Sequence, residues 1–269
     1  MYRPYYQLKK AVNQKSIAVD DLFTSNSFSE ARARLDYMKD KGGFVLVSGK
    51  PGVGKTTLVR AFAESLDAKF FKIAYTPLST VSVIDFYRQL AFLLTGEVPY
   101  RKDLLFRTIQ HTIIDLAVNQ KIIPVIILDD AQFLKNENFF ELQLISNFNF
   151  DSLSPALFIL IAQPHLQERL KRPAFESIYQ RIAIKTSLEP FTLEETQEFI
   201  GQVIKHVSAS PNPQPQNLFN PQATELIFKR SKGIPRLITT IMEQALMYGA
   251  AHNILTIDEN VICDIENEL

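Results

Sequence analysis

The residues best suited to chemistry form one short run, Gly49-Lys50-Pro51-Gly52-Val53-Gly54-Lys55-Thr56-Thr57, which fits the pattern G-x-x-x-x-G-K-[ST] at each fixed position. Gly49, Gly52 and Gly54 let successive backbone N–H groups turn inward around a phosphate with no Cβ in the way. A helix starting just after the loop adds the positive end of its dipole. In that arrangement the Lys55 ammonium reaches the β- and γ-phosphates, the Thr56 hydroxyl ligates magnesium, and Thr57 completes the loop. The implied cofactors are ATP and Mg2+. The competing reading is a plain glycine turn, and the flanks argue against it. Phe44 to Ser48 is apolar and β-branched like a buried strand, and Leu58 to Leu66 has helical spacing.

A second group lies at the ends of two apolar runs. Ile122 to Leu128 is apolar throughout and closes on Asp129-Asp130. A run without alternation suits a strand covered on both faces of a parallel sheet, with Pro124, which lacks a ladder donor, near its start. A carboxylate at the carboxyl end of such a strand sits where α/β sheets bind ligands, so Asp129 is expected to hold magnesium, mainly through water. Leu157 to Ala162 is a further buried strand, followed at once by Gln163-Pro164-His165. Gln163 leaves the sheet at the same edge, with its amide either near the γ-phosphate or simply in the turn before Pro164. His165 reads as a helix start. Arg169, Lys171, Arg172 and Arg181 form a cationic cluster before the last strand, Ile182 to Thr186. Arg181, preferred over Arg172, lies where an oligomer can lend an arginine finger to its neighbour, the alternative being an ordinary surface arginine.

The elements that position these groups follow the same logic. Phe28 to Lys41 reads as a helix capped by Ser27 or Ser29 and ended by Gly42-Gly43. A second strand is expected over Lys69 to Tyr75, a turn over Thr76 to Thr80, a helix opened by Ser82, and another capped by Asp103 and running to about Asn119. Beyond Leu188-Glu189-Pro190-Phe191, Thr192 and Glu195 make a capping box for a helix. Ser208 to Gln216 reads as a loop, Pro221 and Arg236 open two more helices, and a short helix follows Asp258. The expected fold is α/β: a parallel sheet sandwiched by helices over residues 1–190, with 1–26 as an N-terminal extension, and a small all-helical domain over 191–269.

Composition narrows the classes. In 269 residues Lys+Arg and Asp+Glu are both 29, with pI near 6.9, so nucleic-acid binding would need a local basic patch. The single cysteine, Cys263, cannot form an intramolecular disulfide, which suits a reducing compartment. No run approaches 18 unbroken apolar residues and the polar start is no signal peptide. The expectation is a cytoplasmic protein with no membrane span.

Across nearly the whole chain the sequence resembles the AAA+ ATPase superfamily. The resemblance is carried by GKPGVGKTT, VIILDDAQ, the IAQP turn, the YQRI arginine before the last strand and the GIPR helix start. Within the superfamily it is similar to the ExeA-like (general secretion protein A) branch, near the replication-initiator and transposition-regulator ATPases. That resemblance implies a P-loop sheet with a helical lid, Gln163 in the sensor 1 place, and Arg236 as the sensor 2 residue reaching nucleotide from the lid. It also makes Asp130 the residue that polarises the attacking water. Many such ATPases place glutamate there. The aspartate arm is one methylene shorter, which implies slow hydrolysis, stimulated by DNA or a partner.

Secretion-type relatives carry a membrane span and a peptidoglycan-binding region after the ATPase, and this sequence stops at Leu269 without either. On that ground the expectation is a stand-alone, transposon-type accessory ATPase resembling MuB, TnsC and IstB. It would oligomerise on duplex DNA as a ring or filament, select a target and recruit or activate a transposase. The alternatives are a secretion module acting through proteins and a replication-initiator or helicase-loader ATPase. ATP gripped by Lys55 of one copy and Arg181 of the next would clamp the assembly, and hydrolysis would loosen it. Thr80, Arg101 and Lys102 are the candidate DNA contacts by analogy, with a solvated surface as the competing reading.

Overall fold

The computed structural model describes residues 2–13, 17–77, 80–209 and 218–267. It divides into two units, one of residues 27–51 and 55–188, the other of residues 1–26, 52–54 and 189–269.

The first unit is built on five parallel strands, β1 (Gly43–Gly49), β2 (Phe71–Thr76), β3 (Ile123–Leu128), β4 (Leu157–Ala162) and β5 (Ile182–Leu188), in the order β2-β3-β4-β1-β5. β4 is buried along its whole length, and β1 and β3 are buried except at their first residues. This is the burial that their unbroken apolar runs demand in a sheet covered on both faces. Phe44 on β1 pairs with Phe158 on β4, their rings stacked at 4.7 Å. Edge strand β2 alternates instead, leaving Ile73 and Tyr75 exposed and burying Ala74 and Thr76. Pro124 is the second residue of β3, at the strand's start as expected. The helix after the phosphate loop spans Lys55–Glu64. Two helices, Val83–Thr95 and Lys102–Ile114, separate β2 from β3. Ser82 caps the first by accepting from the Asp85 N–H, and Gly96 closes it in the left-handed conformation. Asp103 does not cap the second. Arg101 occupies the cap position, and the Asp103 carboxylate pairs with its guanidinium instead. A π-helical turn, Asp115–Gln120, extends the second helix and ends at left-handed Lys121. A helix that no pattern announced, Asn136–Ile145, buries Phe139, Leu142 and Ile145.

The second unit is helical: Leu193–Val207, Pro221–Ser231, Pro235–Ala251 and Glu259–Asn267. Thr192 and Glu195 form the expected capping box. Residues 1–26, expected beside the α/β domain, belong to this helical unit. Tyr2, Leu8 and Val12 are buried in one cluster with Phe191, Ile200 and Ile238, and the Tyr6 hydroxyl donates to the Ile254 carbonyl at 2.6 Å. Burying those apolar groups is the driving force that an irregular segment otherwise lacks. Most of the loop expected over 208–216, and Leu78 and Ser79 of the expected turn, lie outside the described residues. Among the described residues no helix is long and apolar enough to cross a membrane.

Candidate nucleotide-binding and hydrolysis site

Because all five strands are parallel, the chain leaves β1, β3 and β4 at one edge of the sheet, and each exit carries site residues: Gly49, Asp129-Asp130 and Gln163. β4 pairs with both β1 and β3, so the phosphate loop and the paired aspartates are set by one intervening strand.

The loop's backbone has the conformations its glycines allow. Gly52 and Gly54 have φ of +83° and +102°, values that L side chains rarely adopt. The Lys55 ammonium donates to the carbonyls of Gly49 at 2.9 Å and Lys50 at 3.0 Å. It therefore lies folded back on the loop that it must leave to reach phosphate. The Thr56 hydroxyl donates to Asp129 Oδ2 at 3.0 Å, and Asp129 is 8% exposed. A hydroxyl and a carboxylate are the hard oxygen donors that magnesium takes. A magnesium ion carried on nucleotide phosphate needs only one or two such protein groups, so the residues present fit the metal. Among the described residues no cluster of three or more His, Cys, Asp or Glu side chains could hold a metal ion. Thr57 is half-buried in the first turn of the helix.

Two further residues stand at this edge, Tyr75 and the Gln132 that closes the VIILDDAQ segment. Tyr75, at the end of β2, donates its hydroxyl to the same Asp129 Oδ2 at 3.0 Å. Burial, and then the charge of Asp129, push its phenol pKa up to about 12. Gln132 is buried and links Asp130 to the end of β4: its amide nitrogen donates to Asp130 Oδ1 at 2.9 Å, and its amide oxygen accepts from the Gln163 N–H at 3.1 Å. The period-two alternation of β2 places Tyr75 on a predictable face, but no spacing rule singles out Gln132.

The remaining candidates are placed as follows. Asp130 is exposed and adopts a left-handed backbone, φ 50° and ψ 38°. Gln163 occupies the N-cap position of the helix Pro164–Leu170, and its side chain makes no capping bond there. His165 is exposed within that helix. Arg181 ends the short helix before β5 and is ion-paired with Asp151 at 2.6 Å, its side chain 20% exposed. Arg172 is exposed. In the helical unit, Arg236 is an exposed second residue of its helix, and its backbone N–H donates to the Gly52 carbonyl at 3.3 Å. Thr80 is exposed; Arg101 is paired with Asp103 at 3.0 Å and Lys102 with Glu141 at 2.6 Å, and both cationic side chains remain exposed.

A family model described as an AAA domain matches residues 38–170, the stretch that holds the phosphate loop, Asp129, Asp130 and Gln163. That stretch is an AAA domain, and the chain is similar to an ExeA-like AAA+ ATPase. General secretion pathway protein A of Aeromonas hydrophila is 31% identical over 257 residues, which are 93% of this chain and 45% of that protein. The chain thus spans less than half the length of the curated relative it matches. Among solved structures, the Aeropyrum pernix ORC2 protein superposes with a TM-score of 0.72 at 14% identity, covering 97% of this AAA+ chain and 72% of that one. Drosophila ORC bound to DNA gives 0.68 at 17% identity, covering 94% and 63%. The Thermotoga maritima RuvB branch-migration motor gives 0.60 at 19% identity, covering 96% and 73%. These likenesses establish the AAA+ fold: a parallel five-stranded sheet flanked by helices, with a helical C-terminal region.

Proposed function

We propose that this AAA+ chain binds Mg·ATP and hydrolyses it to ADP and phosphate, and that its nucleotide state governs its association with partners. The observation that carries this reading is the Thr56 to Asp129 hydrogen bond, which joins the phosphate-loop helix to the carboxyl end of β3. When bound, Mg·ATP supplies the phosphoanhydride to be broken and the cation that neutralises the departing charge. The chain does the rest. The inward N–H groups around Gly49, Gly52 and Gly54 bind phosphate oxygens, and Lys55 exchanges two carbonyls for phosphate. Asp129 and Thr56 orient the cation, and Asp130 orients the attacking water and takes its proton.

The finer reading, oligomerisation on duplex DNA and regulation of a transposase, draws its support from the sequence resemblance and from the DNA-bound ORC proteins of similar fold. A second reading, an ATPase module acting through protein partners in secretion, is favoured by the 31% identity to general secretion pathway protein A.

One assay tests both levels: phosphate release by wild type and Lys55→Ala, with and without magnesium and with and without duplex DNA. Magnesium-dependent turnover in wild type, lost in Lys55→Ala, is expected, and its absence in wild type overturns the hydrolytic reading. Stimulation by DNA that fades as salt rises supports the DNA reading. Indifference to DNA supports the protein-partner reading.

A further inference from the structure

The loop after β3 contains more fixed geometry than the magnesium site requires. Asp130 is held in a left-handed conformation, which costs an L residue conformational energy even though aspartate tolerates it better than most. Its N–H donates to Asp129 Oδ1 at 2.8 Å, and its carbonyl accepts from the Phe133 N–H at 3.0 Å. The next residues form a short 3-10 turn, Ala131–Phe133, that folds Gln132 back toward the side chain of Asp130.

Gln132 is 5% exposed, and such burial is costly unless both ends of the amide are paired. Both are. The nitrogen donates to Asp130 Oδ1, and the oxygen accepts the N–H of Gln163 where the chain leaves β4. The Gln132 backbone is fixed in turn by Arg169. One Arg169 nitrogen donates to the Gln132 carbonyl at 3.0 Å, and the other donates to the Leu134 carbonyl at 2.6 Å and to Asn136 Oδ1 at 2.9 Å. The Arg169 guanidinium lies over the rings of Phe139 and Phe175, 4.9 and 5.7 Å from their centroids. Held by carbonyls, an amide and aromatic faces, this cation acts as a bracket for the loop.

We infer that Gln132 is a positioning residue for hydrolysis. Its amide takes one oxygen of the Asp130 carboxylate, fixes the rotation of that group, and leaves the second oxygen to the attacking water. No other hydrogen bond to the Asp130 carboxylate occurs among the described residues. The shorter aspartate arm is thereby held in one orientation against the ends of both β3 and β4. Misplacement of a catalytic group by about 1 Å can cost a hundredfold in rate, so orientation at this carboxylate is a term worth fixing. The inference rests on the hydrolytic reading of the site.

The test compares turnover and Mg·ATP affinity, the latter read with a fluorescent ATP analogue, in wild type, Gln132→Ala, Gln132→Glu, Asp130→Ala and the double variants. Gln132→Glu is nearly isosteric. It keeps an oxygen to accept the Gln163 N–H but replaces the amide donor facing Asp130 with a second carboxylate. The expected result is a fall in kcat of about tenfold or more in both Gln132 variants, with affinity within about threefold of wild type. Neither substitution should lower the residual rate of Asp130→Ala any further, because the two residues act as one unit. Wild-type turnover in Gln132→Glu, or an equal fall on the Asp130→Ala background, overturns the inference and leaves hydrolysis standing. A wild type that binds Mg·ATP without turnover overturns the hydrolytic reading and this inference with it.

Discussion

Thr56 and Asp129, 73 positions apart, meet through a 3.0 Å hydrogen bond in which the hydroxyl donates to Oδ2. The bond ties the first turn of the Lys55–Glu64 helix to the exit of β3, so one contact fixes both oxygen donors of the expected magnesium site. Thr56→Ala removes the hydroxyl and leaves the aspartate without this donor. Losing one metal-facing oxygen together with the partner that orients the other predicts a fall of about 10- to 100-fold in the affinity of Mg·ATP. Titration calorimetry with and without magnesium checks it. Affinity for metal-free ATP should change little, and an equal loss in both conditions would place the effect on the loop instead of the cation.

Tyr75 donates to the same carboxylate oxygen, and its folded-state pKa is raised from 10.0 to about 12 by burial and by Asp129. The direction fixes the pH effect. Between pH 10 and about 12 the unfolded chain has lost this proton while the folded chain keeps it, so stability falls as pH rises through that window. Below pH 10 the contribution is constant. Tyr75→Phe therefore flattens the alkaline limb of the stability curve relative to wild type and leaves the neutral plateau shifted by a fixed amount. Urea unfolding at a series of pH values reads the difference, and curves that stay parallel above pH 10 would refute it.

These two contacts differ in how far the sequence could announce them. Thr56 and Asp129 are legible because the phosphate-loop spacing and a fully apolar strand each demand a particular backbone. Pro124, Ser82, and Thr192 with Glu195 were readable for the same local reason. Gln132 was not, because its role depends on which strand β3 lies beside, and adjacency to β4 is a long-range fact. The helix Asn136–Ile145 is not legible in the sequence because Phe140 and Leu144 are exposed while Phe139 and Leu142 are buried, so apolar residues surround it and no single face stands out. Residues 1–26 are mixed and weakly periodic and read as an extension of the α/β domain, yet Tyr2, Leu8 and Val12 are buried beside residues more than 170 positions away.

Arg181 tests the intersubunit clamp, because its guanidinium is engaged by Asp151 at 2.6 Å and must release it to serve a neighbour. Asp151 is half exposed, and a pair of this kind contributes about 0–1 kcal/mol, so release is inexpensive. Arg181→Ala is expected to abolish any rise of specific activity with protein concentration while leaving ATP affinity unchanged. Asp151→Ala frees the arginine and is expected to preserve or increase that rise. If the two variants behave alike, the arginine serves only the ion pair. ATPase rates over a hundredfold range of protein concentration distinguish the outcomes.

The turn before Arg236 gives the sharpest prediction for stability. Gly233 has φ +71°, and a Cβ built there falls 2.0 Å from the Phe191 carbonyl oxygen and 2.9 Å from its nitrogen. The same backbone pair is joined by a 2.8 Å hydrogen bond from the Phe191 N–H to the Gly233 carbonyl, so the neighbour cannot withdraw without losing it. Gly233→Ala therefore carries about 1–2 kcal/mol for the left-handed conformation and about 1–3 kcal/mol more for the overlap. Gly54, at φ +102°, has nothing within 4 Å of its built Cβ, so Gly54→Ala carries the conformational cost alone. Gly201 lies inside the helix Leu193–Val207 at an ordinary φ with open space around it, and Gly201→Ala is expected to stabilise by about 1 kcal/mol. The midpoints of urea unfolding should thus rank Gly201→Ala above wild type, then Gly54→Ala, then Gly233→Ala. A Gly233→Ala variant as stable as Gly54→Ala would mean that Phe191 yields, and that the tight approach at this turn is not what fixes the start of the Arg236 helix.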